Sequence, residues 1–359
     1  MKKIILTGGG TAGHVTPHLA LLPALQQAGV AVHYIGSHAG IERELAEREN
    51  LPYSPIAAGK LRRYFDLRNV TDMFRVAKGL HDARRILKRE KPDLVFSKGG
   101  FVTVPVLMAA RMLRIPTVIH ESDLTPGLAN RIAAPFAQKI CVAFPETLKH
   151  VSEKKGVLTG IPIRSDLLTG RREKGLATCN FDPNSTQPVL LVTGGSSGAQ
   201  VINKNLREAL PEITKKFRVI HLCGKGNLAE SRPPGATPQN YAEFEYISDG
   251  LNDLYAAADI VLSRAGAGTI FELLAMRKPH LLVPLSRAAS RGDQILNAHS
   301  FAAQGFSAVL PEEEMTPARL NSECTALYNT RDKFKTAMAT HGQTDSIAAT
   351  LAVLHAVLQ

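Results

Sequence analysis

Three glycine-rich stretches, and the polar residues set into them, hold most of the chemistry available to this 359-residue chain. Gly8-Gly9-Gly10-Thr11-Ala12-Gly13 leads to His14, and Gly194-Gly195-Ser196-Ser197-Gly198 leads to Ala199 and Gln200. Arg264-Ala265-Gly266-Ala267-Gly268 leads to Thr269 and then Glu272. Glycines tolerate positive φ and let backbone N–H groups approach a ligand, while a helix N-terminus behind such a turn favours negative charge. The pattern suits phosphate. Arg264 offers a planar fork for a diphosphate, Thr269 can cap the following helix, and Glu272 can accept hydrogen bonds from both hydroxyls of a ribose. His14 is a candidate base because imidazole titrates near neutrality. Glu121, in His120-Glu121-Ser122-Asp123 with Asn130 behind it, is a second candidate, or else a partner for a helix N-terminus. The stretch Ser290–Asn297, which includes Gln294, gathers side chains of the kind that read sugar hydroxyls.

The elements that must position these groups alternate. Each glycine turn follows a short apolar run: Lys3–Thr7, Val189–Thr193 or Ile260–Ser263. Runs of this kind read as buried parallel strands. Further strands are expected at Val30–Ile35, Leu94–Ser97, Thr117–His120, Lys139–Val142 and Gly156–Ile163. In the second half they are expected at Arg218–Cys223, Ala242–Tyr246, His280–Val283 and Ala308–Leu310. Helical patterns lie between the first set, near His18–Ala28, Ile41–Glu49, Val70–Glu90, Val102–Leu113 and Gly127–Ala134. The alternation predicts an α/β fold of two Rossmann-like, doubly wound parallel sheets facing each other across a cleft. Residues 1–162 form the first domain and 163–344 the second. The polar stretch Arg171–Pro188 shows no periodicity and reads as a connection. Residues 345–359 form a final helix, with Asp345 or Ser346 as its cap.

Bulk properties narrow the function. The net charge is +11, and residues 1–162 hold 23 Lys and Arg against 13 Asp and Glu, so nearly all the excess lies in the first half. Between Lys60 and Lys91 there are 11 basic and 4 acidic residues. A basic face attracts polyanions or an anionic membrane leaflet. Without tryptophan and with 6% aromatics, the chain is poor in platforms for stacking single-stranded nucleic acid. Four scattered cysteines, with no C-x-x-C pair, read as reduced thiols and give no zinc site. Strand-like sequence starts at Lys3, so no secretory leader is expected. Gly8-x-Gly10-x-x-Gly13 matches the dinucleotide fingerprint, yet the second strand does not end in the acidic residue that would hold a ribose. NAD is therefore not expected. The absence of any D-x-D motif indicates that arginine and helix dipoles, with no metal or other cofactor, hold a diphosphate.

Six stretches together resemble the MurG glycosyltransferases: Gly-Gly-Thr-Ala-Gly-His-Val-Thr-Pro (9–17), Ser-Lys-Gly-Gly-Phe-Val (97–102), His-Glu-Ser-Asp-Leu-Thr-Pro-Gly-Leu-Ala-Asn (120–130), Gly-Gly-Ser-Ser-Gly-Ala (194–199), Ser-Arg-Ala-Gly-Ala-Gly-Thr (263–269) and Arg-Gly-Asp-Gln-Ile-Leu-Asn-Ala (291–298). The resemblance implies a GT-B architecture that moves N-acetylglucosamine from UDP-N-acetylglucosamine to the muramyl 4-hydroxyl of lipid I, forming lipid II with inversion. It assigns Arg264 and Ser196 to the diphosphate and Gly268 and Thr269 to the α-phosphate end. Glu272 falls to the ribose, the backbone of Ile247 to uracil, and Gln294 and Arg164 to the rest of the donor. Thr11, Ala12 and Gly13 approach the donor sugar and the acceptor diphosphate. Asp123, Asn130, Ser197 and Asn297 are further donor contacts, and the final helix braces the first domain. The family often carries Asn at the positions of Asp123 and Ile161.

Lipid I lies in the membrane, which gives the basic first domain a purpose. Arg62, Arg63, Phe65, Phe74, Arg75 and Lys78 are expected to seat it on the anionic cytoplasmic face of the cell membrane, as a peripheral enzyme beside other enzymes of wall synthesis. For the base, His14 is preferred and Glu121 is the alternative. Competing readings are a UDP-N-acetylglucosamine 2-epimerase of the same fold and a non-enzymatic basic adaptor for membrane or nucleic acid.

Overall fold

A computed structural model describes residues 1–59, 68–195, 198–231, 233–237, 239–247, 249–287, 290, 292–340 and 345–359, with 68–73 described through their backbone. The chain divides into two units, Met1–Arg164 with Thr344–Gln359, and Ser165–Gln343. The first unit holds a seven-stranded sheet of β1 (Lys3–Thr7), β2 (Ala31–Ser37), β3 (Tyr53–Ile56), β4 (Leu94–Ser97), β5 (Thr117–Glu121), β6 (Lys139–Val142) and β7 (Gly156–Leu158). Their order is β3-β2-β1-β4-β5-β6-β7, parallel throughout. The second holds β8 (Val189–Thr193), β9 (Arg218–Leu222), β10 (Tyr241–Phe244), β11 (Ile260–Ser263), β12 (His280–Leu282) and β13 (Ser307–Val309). Their order is β10-β9-β8-β11-β12-β13, again parallel. Two doubly wound parallel sheets are thus present, as the alternation predicts.

Burial explains why these segments are strands. Along β1, Ile4 and Leu6 join one core with Tyr34, Phe96 and helix Thr16–Gln27, while Ile5 joins another with Val95, Ile119 and helix Thr103–Met112. Both faces are covered, so every strand position must be apolar, and the run is continuous rather than alternating. The final helix, Ser346–Leu358, places Val353 and Leu354 in the first of these cores. Burying each contributes about 2 kcal/mol. Asp345 caps it by accepting from the N–H groups of Ile347 and Ala348, both at 3.0 Å.

Two elements differ from expectation. β3 is an edge strand whose Ser54 and Pro55 carry no apolar run, and Pro is tolerated there because an edge strand has free N–H positions. The stretch Arg171–Pro188 is corrected from connection to structure: Arg172–Thr178 is a helix, with Leu176, Cys179 and Phe181 buried behind it. Gly175 permits this packing, since a Cβ there would stand 2.1 Å from the carbonyl of Asp253.

The order of each sheet reverses at one place. β1 has β2 on one side and β4 on the other, and β8 stands likewise between β9 and β11. Ligands of open parallel sheets bind beyond the carboxyl ends of the strands at this switch point. The turns that matter are therefore Gly8–His14 and Lys98–Phe101 in one unit, and Gly194–Ala199 and Arg264–Gly268 in the other.

Under the first switch point lie two fully buried histidines. His18 is wedged edge-on against Tyr34 and Phe96, and neither ring nitrogen has a hydrogen-bond partner. Burial, then the charge of Lys98, pushes both His18 and His120 well below the ordinary histidine value. The fold keeps them neutral, whereas the unfolded chain protonates them below about pH 6.5, so acid favours unfolding. Lys98, pushed down to about 7 mainly by burial, extends the same slope above neutrality. The urea midpoint is expected to rise between about pH 5 and about pH 8, and His18→Phe to flatten the acidic part. An identical slope in that variant would contradict the assignment.

Candidate active site: glycine turns at two switch points

In the first unit the turns after β1 and β4 interlock. Gly10 (φ +90°) and Gly100 (φ +91°) take the left-handed conformation, and a Cβ on Gly100 would stand 2.3 Å from the carbonyl oxygen of Gly9. Only glycine fits both the dihedral and the gap. Glu42, wholly buried, reaches back from helix Ile41–Arg48: it accepts from Gly10 N at 3.3 Å, from Ser37 N at 3.1 Å and from the Ser37 hydroxyl. One N–H of this turn, and its local potential, are thus already committed to a carboxylate.

Thr11, Ala12 and Gly13 lead into the short turn Ala12–His14, where Thr11 and Gly13 are exposed and His14 is half-buried. Nδ1 of His14 lies 3.0 Å from the carbonyl oxygen of Gly9 and 3.2 Å from Thr11 Oγ1. A carbonyl only accepts, so Nδ1 carries the proton and Nε2 keeps its lone pair. Among the described residues Nε2 has no partner. Burial first, then Lys98, lowers the His14 pKa, against Asp123, the Gly9 carbonyl and Glu42, which raise it. The result is a neutral imidazole with one open acceptor nitrogen.

Glu121 is placed otherwise. It is 5% exposed, and its carboxylate accepts from Asp123 N at 3.0 Å, Gly127 N at 2.9 Å and Asn130 Nδ2 at 2.8 Å. It ties the loop after β5 to the start of helix Leu128–Ala133. Three amides of its own unit thus engage the carboxylate, which supports the other reading of Glu121, as a partner for a helix N-terminus. Asn130, buried, also donates to the carbonyl of His120 at 3.1 Å, so its NH2 holds Glu121 and the end of β5 while its Oδ1 has no partner among the described residues. Asp123 is half-buried beside it.

Sequence reading passed over Lys98. Its Nζ is 2.8 Å from His120 Nδ1 and 2.6 Å from Ser122 Oγ, in a side chain 1% exposed. The available signal was its place, a lysine directly after an apolar strand and before Gly99-Gly100.

In the second unit, Gly194 and Gly198 (φ +73°) close the turn after β8; a Cβ on Gly198 would stand 2.1 Å from the carbonyl of Cys223. Around Gly266 and Gly268 nothing lies within 4 Å of where a Cβ would be. Helix Ala267–Ala275 begins with Gly266 as its N-cap and no side-chain cap. Thr269 therefore sits inside the first turn and does not cap it: Gly266, in extended backbone, already turns the chain into the helix. The Thr269 hydroxyl makes no hydrogen bond among the described residues. Glu272 is half-buried further along the same helix, and Ile247 follows β10 at its carboxyl end. Gln294 Oε1 accepts from Leu285 N at 3.0 Å, which fixes the side chain and leaves its NH2 to donate. Asn297, wholly buried, donates to the carbonyl of Ala265 at 3.3 Å. It braces the Arg264–Gly268 turn.

Arg264 is more engaged than a free fork. Its Nη1 donates to the carbonyls of Val283 (3.1 Å) and Pro284 (3.4 Å), and its Nη2 pairs with Glu312, both side chains being 12% exposed. An unpaired guanidinium this sheltered would be costly. Glu312, which sequence reading missed, supplies the counter-charge. Arg164 is half-buried at the end of the first unit.

Of the expected membrane residues, Phe74 is 74% exposed on helix Arg68–Glu90, and Arg75 and Lys78 are exposed beside it. Gly79, Ala83, Ile86 and Leu87 turn the opposite stripe inward. Arg62, Arg63 and Phe65, like Ser196 and Ser197, lie outside the described residues.

Comparison with known proteins agrees with this geometry. Residues 4–142 match the glycosyltransferase family 28 N-terminal domain, and residues 189–351 match the glycosyltransferase family 28 C-terminal domain. A Clostridium perfringens (strain SM101 / Type A) protein is 56% identical over 336 residues, covering 94% of this chain and 93% of its own length. It is named UDP-N-acetylglucosamine--N-acetylmuramyl-(pentapeptide) pyrophosphoryl-undecaprenol N-acetylglucosamine transferase. The crystal structure of Acinetobacter baumannii MurG superimposes with a TM-score of 0.76 at 28% identity, covering 99% of this chain and 100% of that one. A putative UDP-N-acetylglucosamine 2-epimerase from Listeria monocytogenes gives a TM-score of 0.73 at 12% identity, over 99% of this chain and 96% of that one, which is likeness of fold alone. This chain belongs to glycosyltransferase family 28 and, within it, to the MurG family.

Proposed function

We propose that this protein transfers N-acetylglucosamine from UDP-N-acetylglucosamine to the 4-hydroxyl of the muramyl sugar of lipid I, making lipid II for peptidoglycan, with inversion at the anomeric carbon. One observation carries the reading: a relative named for that transfer is 56% identical over 94% of the chain. An epimerase shares the fold but not the sequence, and a binding adaptor leaves the free Nε2 of His14 without a task.

Inversion requires a base for the acceptor hydroxyl and positive potential for the departing diphosphate. His14 takes the first role, supported by its tautomer and its lowered pKa. Arg264 takes the second, with Ser196 and the backbone at Gly268 and Thr269; a Cβ on Gly268 would meet nothing within 4 Å. Arginine and a helix N-terminus stabilise the leaving charge without a divalent ion. Glu272 receives the ribose, the Ile247 backbone the uracil, and Gln294 the sugar. Ser197 and Asp123 lend further donor contacts, and Arg164 completes the set from the end of the first unit. With Gly10 N held by Glu42, contact with the acceptor diphosphate falls to Thr11, Ala12 and Gly13.

The acceptor is a lipid, and no described helix is long and apolar enough to cross a membrane. Arg62, Arg63, Phe65, Phe74, Arg75 and Lys78 seat the first unit on an anionic surface, the cytoplasmic face of the cell membrane. Each basic residue near such a surface is worth about 1 kcal/mol.

The test is UDP release from UDP-N-acetylglucosamine with lipid I in vesicles. Release should require lipid I, persist in EDTA, and run faster on anionic than on neutral vesicles, the difference shrinking with salt. Release of UDP or formation of N-acetylmannosamine without lipid I would overturn the transferase reading. Loss of turnover in EDTA would overturn the metal-free part.

A further inference from the structure

A polar stripe crosses the otherwise apolar contact of helix Gln200–Ile213 with β9 and β10. Ile202, Leu206, Leu210 and Ile213 of the helix join the core. Asn203 and Arg207, four residues apart and hence on one face, meet polar groups instead. Asn203 Nδ2 donates to the Cys223 carbonyl at 2.8 Å, which leaves its Oδ1 to accept from His221 Nε2 at 3.0 Å. Arg207 donates to Glu243 Oε1 from Nε at 3.1 Å and from Nη2 at 2.6 Å. His221 and Glu243 stand opposite each other on β9 and β10, and His221 Nδ1 lies 3.1 Å from the same Glu243 oxygen. Asn203 is 1% exposed, His221 0% and the Glu243 side chain 11%. Stability does not explain the stripe, because a buried ion pair roughly cancels its own desolvation and apolar residues of similar volume pack as well. Directional bonds add fixed geometry.

Both ends of the stripe finish at segments proposed to hold the donor. One end is the Cys223 carbonyl, against which Gly198 of the turn after β8 packs too closely for any Cβ. The other is the loop 224–227. Arg207 Nη2 donates to the Asn227 carbonyl, and Gln200 at the start of the helix donates to Asn227 Oδ1. The side-chain nitrogen of Asn227 would lie 2.9 Å from a Cβ on Gly198. Glu243 holds the far side of the loop by accepting from Ala229 N at 3.3 Å. Gly226 N in turn donates at 2.9 Å to Oε1 of Glu245, two residues before Ile247. One loop thus joins the turn assigned to the diphosphate and the segment assigned to uracil.

We propose that Arg207 and Glu243 are positioning residues for the donor: their sheltered ion pair, with His221 and Asn203, sets the spacing between the diphosphate turn and the uracil segment. Neither touches substrate. Both act through the loop 224–227 and the Cys223 carbonyl. A nucleoside diphosphate spans the two segments, so a preset spacing lets it engage both without reordering either. The inference rests on the donor assignments proposed above.

The experiment uses the full chain. Arg207→Met combined with Glu243→Leu replaces the pair by apolar side chains, an exchange that buried pairs often tolerate without loss of stability. Calorimetry on this double variant should show UDP bound about 10-fold more weakly, because the spacing of its two contacts is no longer preset. Uridine and inorganic pyrophosphate, which each engage one end, should bind as they do to wild type. The KM for UDP-N-acetylglucosamine should rise, and that for lipid I should not. If the double variant does not fold, Arg207→Lys serves. It keeps a charge beside Glu243 but lacks the fork that reaches both Glu243 and Asn227, so the same selective loss is expected at about 3-fold. Unchanged UDP affinity in a folded variant overturns the proposal. So does an equal loss for uridine or pyrophosphate, which would mean damage at one end rather than altered spacing. Wild-type protein that binds UDP with this dependence but shows no lipid I-dependent UDP release would instead sink the transferase reading and leave the spacing inference standing.

Discussion

His14→Ala is expected to lower kcat for lipid II formation by about 10²–10⁴-fold, the range typical of a lost general base, with the dissociation constant of UDP-N-acetylglucosamine unchanged. The asymmetry follows from geometry. Nδ1 faces Gly9 and Thr11 within its own turn, and Nε2, without a partner among the described residues, is the nitrogen left to take a proton from a substrate. Glu121→Ala should behave differently. It removes the acceptor of three N–H bonds in a buried loop, and each unsatisfied donor costs about 1–3 kcal/mol. Its first effect should be a lower unfolding midpoint, with any loss of turnover following the loss of folded protein. Single-turnover rates at saturating donor, beside urea titrations, separate the two. Near-normal chemistry in His14→Ala would remove it as the base.

The second large effect is expected at Arg264. Arg264→Ala should reduce kcat/KM for the donor by about 10²–10³-fold, the usual cost of one strong donor to a developing anion, and should weaken UDP binding measured by calorimetry. Arg264→Lys should recover little, because a point charge does not replace a fork that bridges two carbonyls and an anion. Glu312 sharpens the test. Its carboxylate is paired with the guanidinium, so it offsets the positive potential a diphosphate would meet. Glu312→Gln keeps a hydrogen-bond acceptor, removes that charge, and should tighten UDP binding. Were Arg264 only a brace for Val283 and Pro284, the glutamine variant would leave UDP affinity unchanged or weaken it, and the diphosphate role would fall.

Much of this molecule is written locally. β1, β4, β8 and β11 are legible because a parallel strand covered on both faces must be apolar at successive positions, whatever surrounds it. The glycines after them are legible because positive φ and close approach exclude other residues, as at Gly10, Gly100 and Gly198. Those two signals by themselves determine the doubly wound sheets and point to the ends of the strands where chemistry belongs. The elements missed have no such local mark. β3 carries Ser54 and Pro55 and exists because β2 lies beside it. Helix Arg172–Thr178 is polar, and it exists because Gly175 fits against Asp253 of helix Leu251–Ala257.

Partners of side chains were settled only by tertiary structure. Glu121 reads in sequence as a carboxylate at a strand end, equally a base or a brace; three amides in the fold make it a brace. Asn130 and Asn297, donor contacts by the resemblance, each donate to a backbone carbonyl in the fold, of His120 and of Ala265. Glu42 closes on Gly10, Glu312 on Arg264, and Lys98 on His120, across 32, 48 and 22 positions of sequence respectively. A hydrogen bond or an ion pair requires two groups within about 3 Å, and separation along the chain carries no information about that distance. Residue type tells what a group can do; only the packed fold decides which of its lone pairs and protons are still free to do it.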